Sequence, residues 1–204
     1  MSVNLSQRID SWISGYPDVH TRRLLHRMPV LLWRLGLQRP IAGTFLILTS
    51  TGRRSGQPVH TTVMPHRIDG SVYVWCPYGE RGQWCRNVQA DPIVTVQDAY
   101  GTWAARATRP DDASELARVH GRLLDFDPAL LHRYLESQGL GASAEDFVAH
   151  QDGLHVFRLD PTSAPSPAAL RADLVWVWAL APIVAALAAA AASRVVRRRG
   201  RRTA

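Results

Sequence analysis

Asp69-Gly70 lies between two β-rich runs, residues 59–68 and 71–76, and this dipeptide accepts the positive φ angles that a two-residue hairpin turn demands. A hairpin there commits the middle of the chain to antiparallel sheet. Further strand signals occur at 44–50, 93–97, 102–108 (turned at Tyr100-Gly101) and 154–159. Helical spacing appears at 19–37, where Leu24, Met28, Leu31 and Leu35 share one face and Arg23, Arg27 and Arg34 another. Pro29 lies inside that stretch and is expected to bend it. Short helices are expected at 82–90, from Pro110 onward with Leu116, Val119, Leu123 and Leu124 as the apolar stripe, and at 128–138. No fixed-period repeat runs through the chain, so an array architecture is not expected. The expectation is an α+β domain, a small barrel-like sheet covered by helices.

Charge is unevenly placed. Arginine supplies all 24 basic residues, and Arg194, Arg197, Arg198, Arg199, Arg201 and Arg202 cluster at the C-terminus; without these six the formal net charge of +7 falls to +1. The barrel itself therefore lacks the basic face a nucleic-acid partner needs, and none is expected. Cys76 and Cys85 are the only cysteines and no cleavable export signal opens the chain, so reduced thiols in a cytosolic setting are expected. His60, Thr62, Met64 and His66 alternate onto one face of residues 59–68, with Thr61, Val63, Pro65 and Arg67 on the other. His60 and His66 would stand roughly 20 Å apart on a strand, beyond a shared ion, so no metal site is expected.

The chain divides into an N-terminal helical segment (1–40), a barrel domain (41–160), a Pro/Ser/Ala linker (161–173) and a hydrophobic helix with an arginine-rich tail (174–204). Residues 174–192 are uncharged and nearly all apolar. As a helix they would span about 28 Å, close to the hydrocarbon thickness of a bilayer. The expectation is a transmembrane anchor at the cytoplasmic face of the cell membrane, with a buried or interfacial helix as the alternative. Orientation stays open: the tail crosses, the segment bends at Pro182 and returns, or it lies along the inner surface with its arginines on anionic lipids. The 19–37 helix likewise has two readings, a core-packed surface helix or one resting on an anionic membrane beside Trp33.

Residues 45–58 run from an apolar strand into Thr-Gly-Arg-Arg-Ser-Gly-Gln-Pro. Gly52 and Gly56 let the backbone turn tightly, and Arg53, Arg54 and Ser55 offer donors to phosphate or carboxylate oxygens. An ordinary solvated turn is the competing reading.

Together with Trp84-x-x-Asn-Val-x-Ala-Asp-Pro-x-Val-x-Val, this loop resembles the deazaflavin-dependent nitroreductase and quinone reductase family of actinobacteria. The resemblance is best over about 40–110. It implies an FMN-binding-like split β-barrel, coenzyme F420 as cofactor, and hydride transfer from reduced deazaflavin to a quinone or nitro compound. On that basis the cofactor-binding candidates are Arg53, Arg54, Ser55, Gly56, His60, Thr61, Thr62, Val63, Met64, Tyr78, Gly79, Gln83, Trp84 and Asn87. Asn87 reads as a residue that pins the barrel. No catalytic group is assigned, because Tyr134 is the only tyrosine after Tyr100. The chain departs from the family at Val59, where an arginine is frequent, and at Cys85, where a tyrosine is frequent. An alternative function is a membrane-anchored barrel that has lost the cofactor and binds a lipid or fatty acid; FMN is a further cofactor reading. Expected partners are a lipophilic substrate, membrane lipids and a second copy of the chain as a homodimer.

Overall fold

The computed structural model describes residues 19–39, 41–180 and 182. Asp69 and Gly70 both take positive φ, at 49° and 81°, and close the expected hairpin. Seven antiparallel strands form one sheet: β1 (Leu46–Thr51), β2 (Pro58–Val63), β3 (Pro65–Ile68), β4 (Ser71–Trp75), β5 (Ile93–Asp98), β6 (Gly101–Thr108) and β7 (Val156–Pro161). Their spatial order is β2-β1-β5-β6-β7-β4-β3. β2 and β3 are therefore the two edges, yet only Met64 separates them along the chain. A sheet whose two edges are joined by one residue has to curl, and it does so into a half-barrel. Residues 59–68, expected as one strand, break there, and Pro65 brings no N–H to continue the β2 ladder.

Strict alternation then sorts the side chains. Leu46, Leu48, Val72, Val74, Val94, Val96, Ala105, Ala107, Phe157 and Leu159 fill the inside of the curl. Helix α2 (Gln83–Ala90) closes that core with Cys85 and Val88. On the outer face of β4 and β7, Tyr73, Trp75 and Val156 pack beneath α3 (Ala113–Phe126), α4 (Pro128–Ser137) and α5 (Ala144–Ala149). Each of these helices starts on a side-chain cap: Asp112, Asp127 and Ser143 accept from Glu115 N, Leu130 N and Asp146 N. The sequence reading did not foresee α5.

The outer face of β1 and β5 is covered differently. Helix α1 (Val19–Arg34) packs Trp33 with Ala42, Ile47 and Leu170. Pro29 lies within the helix, as the pattern suggested. Of the linker expected at 161–173, Pro161 ends β7 and residues 162–173 run across the barrel as a strap. Gln97 donates to Leu170 O at 3.1 Å and accepts from Leu170 N at 2.7 Å. The Thr95 hydroxyl lies within hydrogen-bond reach of Ser166 Oγ and Pro167 O. Two buried polar side chains on an outward face are thereby satisfied, each bond worth about 1 kcal/mol net.

Among the described residues no helix is long and apolar enough to cross a membrane. The expected anchor at 174–192 lies largely outside the described residues, of which 177–180 and 182 are helical. A transmembrane helix is therefore not part of the fold described here.

Candidate functional site

The arginine loop joins β1 to β2 and is closed on itself. Gly52 N donates to Gln57 O at 2.8 Å, while Ser55 N and Gly56 N donate to Gly52 O at 3.1 and 2.7 Å. A Cβ at Gly52 would lie 2.6 Å from Ser55 Oγ and 3.1 Å from Gln57 O, and Gly56 takes φ +65°. Both positions need glycine, one for space and one for backbone conformation. The turn so built presents Arg53 and Arg54 beside the start of α2.

Helix α2 holds the loop. Arg53 Nη1 donates to Gln83 Oε1 and to Asn87 Oδ1, each at 3.1 Å, and Arg53 N reaches Asn87 Oδ1 at 3.3 Å. Asn87 is buried, and its Nδ2 donates to Ser50 Oγ on β1 at 3.5 Å. One side chain thus ties strand, loop and helix together, the pinning role expected of Asn87. Arg86 joins the group. Gln83, Arg86 and Asn87 share one side of the helix by their spacing, and Arg86 Nε is buried without a hydrogen-bond partner. Loss of hydration, followed by the charges of Arg86 and Arg54, pushes the Arg53 pKa down. Among the described residues no carboxylate pairs with Arg53, Arg54 or Arg86. Sequence reasoning omitted Arg86, although its helical spacing from Gln83 was the signal that would have found it.

The remaining candidates divide. Residues 60–64 do not line one surface, because β2 alternates: Val63 belongs to the inner core, whereas His60 Nδ1 contacts Thr49 Oγ1 at 2.9 Å on the outer face. By the same alternation Thr61 points with Val63 and Thr62 with His60. Thr62 Oγ1 is buried without a hydrogen-bond partner, and Met64 is half-buried at the edge crossing. Burial, then the nearby charge of Arg34, pushes the His60 pKa down. His66 packs edge-on against Phe126 of α3 with ring centroids 5.1 Å apart. Tyr78 and Gly79 open the turn that leads into α2, and Gly79 takes φ +52° against the His155 ring. Trp84 packs on Phe157 inside the barrel.

Tyr134 packs in the core between the sheet and the helical flank. Its hydroxyl accepts from His155 N at 2.9 Å and lies 3.2 Å from His155 Nδ1, and burial pushes its pKa up to about 12. It is a packing group of the helical flank. The Cys76 and Cys85 thiols are buried, in mutual contact and not joined by a disulfide; the hydrogen bond between them and burial raise the Cys76 pKa. A cleft of about 440 Å³, lined by Trp33, Gln38, Arg39, Asp98 and Tyr100 among others, opens at the β5–β6 turn and contains none of the candidate residues. It lies at the opposite end of β5 from the arginine loop, since Ser50 pairs with Val94 and Ile47 with Gln97.

The fold and the loop define a half-barrel carrying an uncompensated cationic turn, suited to an anionic ligand. Residues 34–135 match the model of the F420H2-dependent quinone reductase family, half of the chain, and the chain belongs to that family of oxidoreductases. Solved structures similar to it include an F420-H2 dependent reductase, at 22% identity and a TM-score of 0.37, covering 57% of this chain and 94% of that one. A conserved hypothetical protein from Mycobacterium tuberculosis is 16% identical with a TM-score of 0.36, covering 61% and 78%. A heme storage protein from Vibrio cholerae is 17% identical with a TM-score of 0.38, covering 66% and 92%. These likenesses are distant, and membership rests on the match to 34–135. No curated protein matches the chain.

Proposed function

We propose that the chain is a reductase that binds reduced coenzyme F420 and passes a hydride to a lipophilic quinone or a nitro compound at the cytoplasmic face of a membrane. The observation that carries this reading is the set Arg53 and Arg54 on the glycine-built turn and Arg86 on the adjoining α2, three guanidinium groups without a carboxylate partner among the described residues. Like charges gathered in this way repel one another unless an anion joins them. The donor set fits a cofactor tail carrying a phosphodiester and several carboxylates. When bound, the reduced deazaflavin supplies the hydride.

The chain's own part is to hold and orient. Arg53, Arg54 and the Ser55-Gly56 turn would take the anionic tail, with Gln83 and Asn87 fixing the Arg53 fork in place. Trp84, Tyr78 and Gly79 lie on or just before α2 and would flank the ring. The outward residues of β2, His60 and Thr62, border α1, where a lipid-soluble acceptor would arrive.

Two measurements test the reading. Equilibrium quenching of F420 fluorescence by the purified chain should saturate in the micromolar range. Mixing the chain with reduced F420 and menaquinone should restore the absorbance of oxidised deazaflavin. Absence of binding at tens of micromolar cofactor would end the reductase reading.

A further inference from the structure

Every large apolar side chain that is exposed among the described residues, except Tyr100, belongs to one of two segments far apart in sequence. Met28, Leu31 and Leu37 lie on α1 and the turn after it; Val175, Trp176, Val177, Trp178 and Leu180 lie after the strap. Trp176 is 59% exposed and Trp178 is 51% exposed. The fold joins these segments. Leu174 N donates to Arg34 O at 2.9 Å, and Trp178 Nε1 donates to Leu35 O at 2.8 Å. Arg34 grips Asp173 with two bonds of 2.7 and 2.8 Å. Val175 sits so close to Gly36 that a Cβ there would lie 2.9 Å from Val175 Cγ1. Monomers seldom leave so much contiguous apolar surface in water without a partner for it.

We infer that the end of α1 and residues 173–180 form one composite docking surface for an anionic lipid bilayer. Charge favours that occupant. Arg27, Arg39 and Arg171 are exposed around the apolar residues, and Asp173, the acid at the joint, is already neutralised by Arg34. A second copy of the chain would bring these arginines against their like. The sequence continues from Leu180 through an uncharged apolar run to six arginines, a composition suited to an acyl boundary below a headgroup layer. Paired indoles suit the same interface. The surface also adjoins the candidate site: α1 packs on β2, and Arg34 lies near enough to His60 to depress its pKa. The link to a lipid-borne acceptor rests on the reductase reading; the docking surface does not.

Co-sedimentation of the full chain with vesicles tests the inference. Binding to vesicles of about one-third phosphatidylglycerol should exceed binding to pure phosphatidylcholine and weaken with salt. Two paired variants, Met28→Ser with Leu31→Ser and Val175→Ser with Trp176→Ser, should each lower partition roughly tenfold while keeping native circular dichroism and F420 affinity. If the α1 pair left partition unchanged, the C-terminal run would be acting alone and the composite surface would be wrong. If the chain were a dimer by sedimentation velocity, became monomeric in both variants and bound no vesicles, a second copy would cover this face instead. F420 quenching is read separately: vesicle binding without cofactor binding would remove the reductase reading and leave this surface intact.

Discussion

Arg53 and Arg158 occupy comparable half-buried positions but live in opposite electrostatic settings. Arg158 on β7 is clamped between Glu115 of α3 and Asp160, with bonds of 2.7 and 2.8 Å to Glu115 and 2.7 Å to Asp160. Those carboxylates raise its pKa. Tyr73 OH donates to the same Glu115 at 2.7 Å, so strand, helix and neighbouring strand share one closed network. Among the described residues, Arg53 is held by the neutral amide oxygens of Gln83 and Asn87, and its pKa is lowered. The contrast separates two uses of the same side chain. A guanidinium neutralised by its own chain stabilises the fold, whereas one positioned by neutral amides keeps its charge uncompensated.

Exchanging the two roles by mutation tests the comparison. Replacing Arg53 and Arg54 together with Ala should weaken F420 binding by about a hundredfold or more, at roughly 1.5–3 kcal/mol for each charge-assisted contact. Urea unfolding of the same variant should move by no more than about 1 kcal/mol. Glu115→Ala should do the reverse. It leaves Arg158 with Asp160 alone, and chemical denaturation should show a loss of about 3 kcal/mol while the folded fraction keeps its cofactor affinity.

The helical flank should also carry a pH signature that the arginine turn lacks. Burial, then the charge of Arg122, lowers the His66 pKa to about 4. The unfolded chain takes up this proton near pH 6.5 and the folded chain does not, so the stability from neutral His66 is complete above about pH 6.5 and falls as pH drops toward 4. Urea midpoints across that window should reveal a loss of roughly 3 kcal/mol, and His66→Leu should flatten the slope. Smallest is the effect of Arg86→Gln, which removes the charge but keeps a polar side chain and is expected to weaken F420 binding about tenfold. A variant with unaltered affinity would restrict the anion site to the loop.

Local chemistry made much of this legible. The Asp69-Gly70 hairpin and the requirement for Gly52 and Gly56 both depend on residues within a few positions of one another. The candidate site was legible to the same extent: the loop and α2 do meet, because Arg53 and Asn87 belong to the two motifs that carried the resemblance. The stretch 60–64 was less legible as a site. Alternation divides it between core and outer face, and which face borders α1 depends on packing from outside the strand. Arg86 went unread because its position matters only once α2 is laid beside the loop.

By itself the sequence determined the hairpin, the glycine-bound cationic turn and the family, since each rests on residue type in short motifs. Tertiary structure decided the rest. The strand order placing β7 between β6 and β4, and the curl forced by Met64 between two edge strands, come from long-range pairing that no local pattern encodes. The strap over β5 is the clearest case: its prolines and small residues read as a linker between two segments, yet Thr95 and Gln97 on the facing strand need partners, and residues 166–170 supply them. The same docking brings Trp176 and Trp178 beside α1, joining two apolar segments that lie some 140 residues apart into one surface.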